Sequence, residues 1–367
     1  MTRSLPGGSG SGRGARWADR LQGPLMKVGM KVVPALPIGV QRVMTGGRAV
    51  TIDGKTLDPT LRLTLTAQRA MGINGLVVDD DAETSRAQLR ETGAGLGGGD
   101  IHVDVRDISL PGPAGDIPAR HYRPVGGGAK CLLVFYHGGG FVIGDLESHD
   151  AICRLTCRDA DVAVLSIDYR LAPEHPAPAA FDDALAAFRW AYDHAEELGG
   201  IPGRVAVGGD SAGGNLAAAV ALRARDDGGS APILQWLIYP ITDCTAQTRS
   251  RTLYGDGFLL TKHDIDWFTE QYVGRSQVDP TDPRVSPLLA GDLSGLPPAL
   301  VAVAGFDPLH DEGEAFAAAL REAGVVVDLR RMPSLTHAFI NLFPLGGGSA
   351  TATSELISAL RAHLSRG

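Results

Sequence analysis

Residues 204–220 read RVAVGGDSAGGNLAAAV, and this segment decides the fold of the chain. Its apolar beginning is typical of a strand, and its alanine-rich end is typical of a helix. Between them, Gly209-Asp210-Ser211-Ala212-Gly213 fits the G-x-S-x-G turn that presents a serine as a nucleophile. Such a strained turn leaves no room for side chains beside the serine, so glycine is needed there. A phosphate-cradling loop is the alternative, but no P-loop Lys-Ser/Thr pair or early G-x-G-x-x-G accompanies it.

From residue 101 onward, strand-like and helix-like segments alternate along the chain. The predicted strands are His102–Leu110, Ile117–Tyr122, Cys131–Tyr136, Val162–Ile167, Arg204–Val207, Leu234–Tyr239, Ala299–Val303 and Val326–Arg331. The predicted helices are Ser148–Asp159, Phe181–Glu197, Ala212–Arg225, Glu312–Ala323 and Thr353–Leu364. The interior strands are continuous apolar runs, as expected for parallel strands covered on both faces. The first two strands lack an intervening helix and therefore predict an antiparallel hairpin at one edge. This alternation predicts an α/β fold with a mostly parallel sheet of about eight strands.

The part of the chain before residue 101 has a different composition. Residues 1–16 are rich in Gly, Ser and Arg and predict a disordered tail. Residues 17–99 predict a largely helical extension and cap region, and Gly93–Gly99 is the best candidate for its boundary. Residues 100–367 then form the catalytic domain. Within that domain, residues 242–289 interrupt the strand–helix rhythm and predict a cap insertion over the carboxyl ends of the strands.

Two local features refine this organisation. Thr261 precedes a helix-like run in the insertion and is a plausible N-cap. Residues 25–44 are apolar, but Lys27, Lys31, Arg42 and two prolines interrupt them, so they fail the test for a bilayer span. A broken amphipathic helix over a pocket is the favoured interpretation of this stretch, and a helix on a membrane surface is the alternative.

Composition limits the class of protein and its partners. The chain of 367 residues is 44% hydrophobic and 21% charged, which is typical of a globular protein with a sizeable core. Its net charge of −8 argues against nucleic acid as the main partner. Cys153 and Cys157 lie one helical turn apart without a second pair at zinc spacing. The four cysteines are therefore interpreted as free thiols, which predicts a cytoplasmic protein without stable membrane insertion.

A serine that attacks an acyl carbon needs hydrogen-bond donors for the oxyanion that forms. His137-Gly138-Gly139-Gly140 directly follows a predicted strand, and its glycines let backbone N–H groups approach the developing charge. We expect Gly138, Gly139 and Ala212 to supply three donors, with His137, Gly140 and Asp210 as supporting residues of the motifs. Loss of one such donor typically costs a factor of about 10² to 10³ in rate.

The serine also needs a base and an acid that orients the base. His337 is the candidate base because it lies in the loop after the last predicted strand, whereas the other histidines lie in strands, turns or helices. The acid should lie between serine and histidine in chain order, and Asp307 does so just past a strand. Asp311 and Glu312 are its rivals, but both are more simply explained as acids in the first turn of a helix.

Four motifs together resemble the hormone-sensitive-lipase family of α/β-hydrolases, most nearly its GDSAG branch of bacterial carboxylesterases and actinobacterial lipase/esterases. They are His137–Gly140, Asp168–Glu174, Gly209–Gly214 and Asp307–Glu312. The resemblance covers roughly residues 101–364. It implies an α/β-hydrolase fold with a helical cap, a Ser211–His337–Asp307 triad and a scaffold role for Asp168–Glu174. The extension before about Asp58 is not generally shared by the family at this length.

The resemblance implies a serine carboxylesterase that hydrolyses short- to medium-chain esters through an acyl-enzyme. The partner is then a small ester, no metal or organic cofactor is required, and a homodimer is left open. The same groups serve related acyl bonds, so a lipase on longer chains or an amide or carbamate hydrolase is the alternative. A ligand receptor on the same scaffold is the weaker alternative, because such proteins characteristically lose a triad residue.

Overall fold

Eight strands join into one sheet in the computed structural model of the protein, which describes residues 36–97, 101–126 and 131–365. They are β3 (Asp104–Gly112), β4 (Gly115–Arg123), β5 (Leu132–Tyr136), β6 (Ala163–Ile167), β7 (Val205–Asp210), β8 (Gln235–Ile238), β9 (Ala299–Phe306) and β10 (Val327–Thr336). Their order is β10-β9-β8-β7-β5-β6-β4-β3. The six strands β5 to β10 are parallel, whereas β4 pairs with β6, and β3 with β4, in antiparallel fashion. The predicted mostly parallel sheet with an antiparallel edge is confirmed.

Helices cover both faces of this sheet. The helices of the described residues are α1 (Ile38–Met44), α2 (Pro59–Ala70), α3 (Ala82–Leu96), α4 (Asp150–Ala160), α5 (Ala179–Asp193), α6 (Ala212–Asp226), α7 (Arg249–Leu253), α8 (Lys262–Thr269), α9 (His310–Glu322) and α10 (Gly347–Leu364). Of these, α4, α5, α6, α9 and α10 pack against the sheet. Alternate side chains of β5 enter two separate cores. Leu132 and Val134 pack with α5, α6 and α9, whereas Leu133 and Phe135 pack with α4 and α10. All five residues of β5 are buried, as expected for a strand covered on both sides.

The cap is built from two separate parts of the chain. Residues of α2 and α3, which precede the sheet, line one cavity together with residues of α7 and α8 from the insertion. Ser211 and His337 line the same cavity, so these helices cover the carboxyl ends of the strands. Thr261 is the N-cap of α8. Its hydroxyl accepts the Asp264 N–H, and the Asp264 carboxylate accepts the Thr261 N–H. The predicted N-cap is therefore present as a reciprocal capping box.

Several boundaries differ from the sequence-based expectation. Strand β10 continues to Thr336, past an irregularity in its pairing after Met332, and α10 begins at Gly347 rather than Thr353. A short hairpin of β1 (Thr51–Ile52) and β2 (Lys55–Thr56) was not predicted.

The N-terminal expectations are only partly covered by the described residues. The predicted tail 1–16 and the first part of 25–44 lie outside them, while the last part of that stretch forms α1. Within the described residues, no helix combines the length and the apolar character needed to cross a bilayer.

Candidate active site

Ser211 lies on a sharp turn between β7 and α6. Its backbone has φ +56° and ψ −116°, a conformation that is strained for a residue with a side chain. The Ser211 N–H donates to the carbonyl of Ile238 at 2.9 Å, which ties the turn to the neighbouring strand. An added Cβ on Gly209 or Gly213 would collide with the carbonyl oxygen of Tyr136. The two glycines of the motif therefore allow the turn to pack directly against the end of β5.

Ser211, His337 and Asp307 form a continuous chain of hydrogen bonds. His337 Nε2 lies 3.0 Å from Ser211 Oγ, and His337 Nδ1 lies 2.8 Å from Asp307 Oδ2. The other carboxylate oxygen of Asp307 accepts the Leu309 N–H at 2.8 Å, so the carboxylate is held in one orientation. All three side chains are buried. Each of the three residues directly follows a parallel strand: Ser211 follows β7, Asp307 follows β9 and His337 follows β10.

The glycine loop after β5 has an unusual backbone. Gly139 has φ +116° and Gly140 has φ +60°, values that favour glycine. The Gly138 N–H donates to Asp210 Oδ1 at 2.8 Å. This bond corrects the expectation that Gly138 is an oxyanion donor, because its proton is already used inside the protein. The N–H groups of Gly139, Gly140 and Ala212, in contrast, meet no acceptor among the described residues.

His137 supports this loop from beneath. Its ring stacks on Tyr169 with centroids 4.3 Å apart, and its Nδ1 lies 2.8 Å from the Gly138 carbonyl oxygen. The Tyr169 hydroxyl donates to the His137 carbonyl at 2.7 Å. Burial, with the nearby His149, lowers the pKa of His137 to about 4, so the ring is neutral at neutral pH. The predicted supporting role of His137 thus has a physical basis in stacking and hydrogen bonding.

Asp210 connects four segments, which the sequence motif did not reveal. Besides the Gly138 N–H, its carboxylate accepts Asn341 Nδ2 at 3.1 Å and the Tyr239 hydroxyl at 3.3 Å, and His149 Nε2 lies 3.3 Å away. Burial works against ionisation of this carboxyl, but His149 and the Gly138 N–H outweigh it and hold the pKa of Asp210 below its ordinary value. Asp210 therefore remains charged and fixes the nucleophile turn relative to the glycine loop.

The two rival acids have other partners. Asp311 accepts the Ser250 N–H at 2.8 Å, and Glu312 forms a buried ion pair with Arg251 at 2.7 Å. Glu312 also accepts the Thr242 N–H at 2.9 Å. Both acids at the start of α9 thus hold the first part of the cap insertion, and neither pairs with His337.

A largely apolar cleft of about 1360 Å³, including its open mouth, leads from the cap to Ser211. Its walls include Leu89 and Leu96 from α3, and Ile265 and Phe268 from α8. Sequence reasoning named none of these wall residues. No group of three or more His, Cys, Asp or Glu side chains suited to a metal ion occurs among residues 36–97, 101–126 and 131–365.

Comparison with known proteins agrees with the fold. A family model described as alpha/beta hydrolase fold matches residues 133–341. The chain is 64% identical to the carboxylic ester hydrolase LipN of Mycobacterium tuberculosis, over the full length of both. Among solved structures, an ester hydrolase from the metagenome of Lake Arreo has a TM-score of 0.77 at 43% identity, covering 83% of this chain and 97% of that one. The esterase of Pyrobaculum calidifontis has a TM-score of 0.77 at 40% identity, covering 83% and 98%.

The chain therefore belongs to the α/β-hydrolase fold family, and its relatives confirm the predicted hormone-sensitive-lipase group within it. The match to the carboxylic ester hydrolase LipN includes the N-terminal extension, because it spans the whole chain, whereas each of the two solved structures covers 83% of the chain.

Proposed function

We propose that this protein is a serine carboxylesterase that hydrolyses short- to medium-chain carboxylic esters through an acyl-enzyme. One observation carries the proposal: the hydrogen-bond chain from Ser211 through His337 to Asp307 lies at the bottom of an apolar cleft. The names of the relatives, a carboxylic ester hydrolase and two esterases among them, support ester hydrolysis as the reaction.

In this mechanism, His337 Nε2 accepts the proton of Ser211 as Oγ attacks the ester carbonyl carbon. Asp307 holds the imidazole in the Nδ1–H tautomer and stabilises the imidazolium that forms. The tetrahedral intermediate collapses when the alcohol leaves with the proton from His337. A water molecule, deprotonated by the same imidazole, then attacks the acyl-enzyme and releases the acid with Ser211 restored.

For the oxyanion we propose the N–H groups of Gly139, Gly140 and Ala212 as donors. Gly139 and Gly140 line the cleft, and their protons have no acceptor in the described protein. Ala212 follows the nucleophile and begins α6, so its N–H lies at the positive end of a helix. Gly138 then acts through Asp210 and not on the substrate.

Turnover of p-nitrophenyl esters from acetate to palmitate tests the proposal. We expect the highest kcat/KM for short to medium chains, and a maximum at palmitate would support the lipase alternative. Ser211→Ala should lose nearly all turnover, because residual catalysis then rests on the oxyanion donors and binding alone. If Ser211→Ala kept its turnover, the nucleophile assignment would be wrong. Wild-type protein that binds esters without hydrolysing them would favour the receptor alternative.

A cytoplasmic location and a small ester as the partner complete the proposal. Support for the location comes from the four cysteines, which are all free thiols, as expected in a reducing compartment. Cell fractionation tests the location. The homodimer left open by the sequence is tested by light scattering of the purified protein.

A further inference from the structure

One face of the cap insertion joins two regions that are distant in the chain. Asp264 and Phe268 lie four residues apart on α8, and Tyr272 follows four residues later in a π-helical turn, Glu270–Gly274. All three side chains are buried. Asp264 contacts the N-terminal part of the cap, whereas the two aromatic rings contact the glycine loop beside Ser211. Because π-helical turns are often found at functional sites, this face is a candidate for a functional role.

Asp264 holds the two parts of the cap together. Its carboxylate accepts the N–H of Leu76 at 3.2 Å and of Val77 at 2.9 Å, as well as the Thr261 N–H at 2.8 Å. A Cβ on Gly75 would come within 2.7 Å of its Oδ2 atom, so the backbone packs closely against it. Three backbone donors, one of them at a helix N-terminus, satisfy the buried carboxylate, and no cationic side chain among the described residues pairs with it. Asp264 itself does not line the cleft that contains Ser211.

The other end of this face presses on the glycine loop. An added Cβ on Gly140 would collide with the ring of Phe268, so loop and ring are in direct contact. Tyr272 stacks on Phe141 with centroids 4.0 Å apart and an interplanar angle of 13°. The Tyr272 carbonyl in turn accepts the Ala177 N–H at 2.8 Å, which anchors the π-helical turn to the body of the protein.

The loop needs such support because its backbone is strained. Gly139, Gly140 and Phe141 have φ values of +116°, +60° and +63°, and Phe141 is not a glycine. A conformation of this kind is unfavourable for a residue with a side chain and persists only where surrounding contacts enforce it. Here those contacts come from α8 and the turn that follows it. The loop carries the two N–H groups that the proposed function assigns to the oxyanion.

We propose that Asp264 is a positioning residue for this loop. By fixing α8 on the Leu76–Val77 segment, it keeps Phe268 and Tyr272 pressed against Gly140 and Phe141, and so keeps the oxyanion donors aimed at the substrate. The inference rests on the proposed function, because it concerns the same oxyanion site. It differs from a role in substrate binding, since Asp264 lies outside the cleft.

The test compares Asp264→Ala with Asp266→Ala. Asp266 lies on the same helix but is exposed and pairs with Lys262, so it is a matched control. With p-nitrophenyl acetate, which has the smallest acyl group of the ester series, Asp264→Ala should lower kcat by about 10-fold or more, since a misplaced donor forfeits part of a 10²- to 10³-fold effect. KM should change less than about threefold. Inactivation by a p-nitrophenyl phosphonate, which also develops an oxyanion, should slow by the same factor as kcat, and Asp266→Ala should match the wild type.

Several results would overturn the inference. A folded Asp264→Ala protein with a lower melting temperature but unchanged kcat would show a structural role only. A rise in KM with unchanged kcat would show that the cap acts on substrate binding. If Asp264→Ala does not fold, Phe268→Leu decides: loss of kcat on the acetate together with slower phosphonate inactivation supports the inference, and wild-type values reject it. Wild-type protein inactive on every ester would instead reject the proposed function.

Discussion

The strand-end site and the cap are held in place in different ways. Twelve of the 15 residues of α6, the helix that follows Ser211, are buried, whereas in α3 of the cap only Ser85 and Gly95 are. At the strand ends, the backbone is fixed by glycines that pack too closely against neighbouring atoms to accommodate a Cβ, and by the buried carboxylate of Asp210. The cap instead depends on a few polar links to the body and between its parts. The reaction geometry is thus built into the sheet, while the shape of the substrate cleft depends on a small number of separable contacts.

Arg86 illustrates the second kind of contact. From α3 it donates to the carbonyls of Val142 and Ala172, both at 2.8 Å, and pairs with Glu174 at 2.7 Å. Glu174 belongs to the motif interpreted from sequence as scaffold, and here it forms the body's side of a link to the cap. The ion pair with Glu174 is exposed on the Glu174 side, so it contributes less than the buried contacts around Asp210.

The largest effect is expected at the strand ends, from Asp307→Asn. An asparagine presents an amide N–H₂ or a neutral oxygen to His337 Nδ1, which disturbs the tautomer that accepts the Ser211 proton. We expect kcat to fall by roughly 10⁴-fold. Steady-state kinetics on p-nitrophenyl acetate provide the measurement. The control is Asp311→Asn, whose amide oxygen can still accept the Ser250 N–H and which should keep kcat within a few-fold; equal losses in both variants would contradict the assignment of the acid.

Asp210→Ala tests whether the strand-end network positions the glycine loop. Removal of the carboxylate leaves the Gly138 N–H and three side-chain donors without their acceptor, so the loop loses its link to the nucleophile turn. We expect kcat to fall by about 10- to 100-fold, a fraction of the loss of one oxyanion donor. Asp183→Asn, which disturbs a buried ion pair with Arg170 away from Ser211, is the control for stability alone. A kcat equal to that of this control would show that Asp210 does not position the loop.

How much of the fold and the site could be predicted from the sequence depends on how far apart in the chain the contacting residues are. The interior strands were predictable because each is a local apolar run, and Ser211 and Asp307 because each directly follows such a run. His337 was predictable because it follows the last predicted strand. The use of the Gly138 proton was not predictable, since its acceptor lies 72 residues away on another strand end. The link between Asp264 and Val77 spans 187 residues and involves a backbone N–H, which leaves no trace in residue type. Local patterns identify which residues reach the site, but not which donor meets which acceptor.

Acid should weaken the body of the protein through buried histidines. The Nε2–H of His121 donates to the Leu198 carbonyl at 2.9 Å, and its Nδ1 accepts from Arg106 Nε at 3.2 Å. Burial, together with the nearby Arg106 and Arg123, lowers the pKa of His121 to about 4. A histidine in the unfolded chain has a pKa of about 6.5, so at pH values between about 6.5 and 4 the unfolded chain binds a proton at His121 and the folded protein does not. The free energy of unfolding therefore falls as pH falls through this window.

The expected loss is about 2 kcal/mol between pH 7 and pH 5 from His121 alone. Urea unfolding at several pH values measures it. His121→Gln cannot titrate and should flatten the profile in this window, whatever its stability at pH 7. Equal pH slopes for variant and wild type would show that His121 does not carry the effect.

The smallest effect is expected from the cap link. Arg86→Ala removes three hydrogen-bonded partners of α3 and should raise KM for a medium-chain ester roughly threefold, with a small decrease in melting temperature. Arg90→Ala on the same helix removes a more exposed guanidinium paired with Asp145 and should change neither quantity. Should both variants behave alike, the contacts of Arg86 with Val142 and Ala172 would add nothing beyond a surface ion pair.

The positions of the strands along the chain also determine when the site is completed during synthesis. Ser211 and His337 are 126 residues apart, and His337 follows β10, the edge strand that pairs only with β9. A chain that ends before β10 contains Ser211 but lacks His337, the imidazole that hydrogen-bonds to it. The hydrogen-bond chain from Ser211 to Asp307 is therefore complete only when the last strand is in place, so premature termination leaves Ser211 without the base that the proposed function assigns to it.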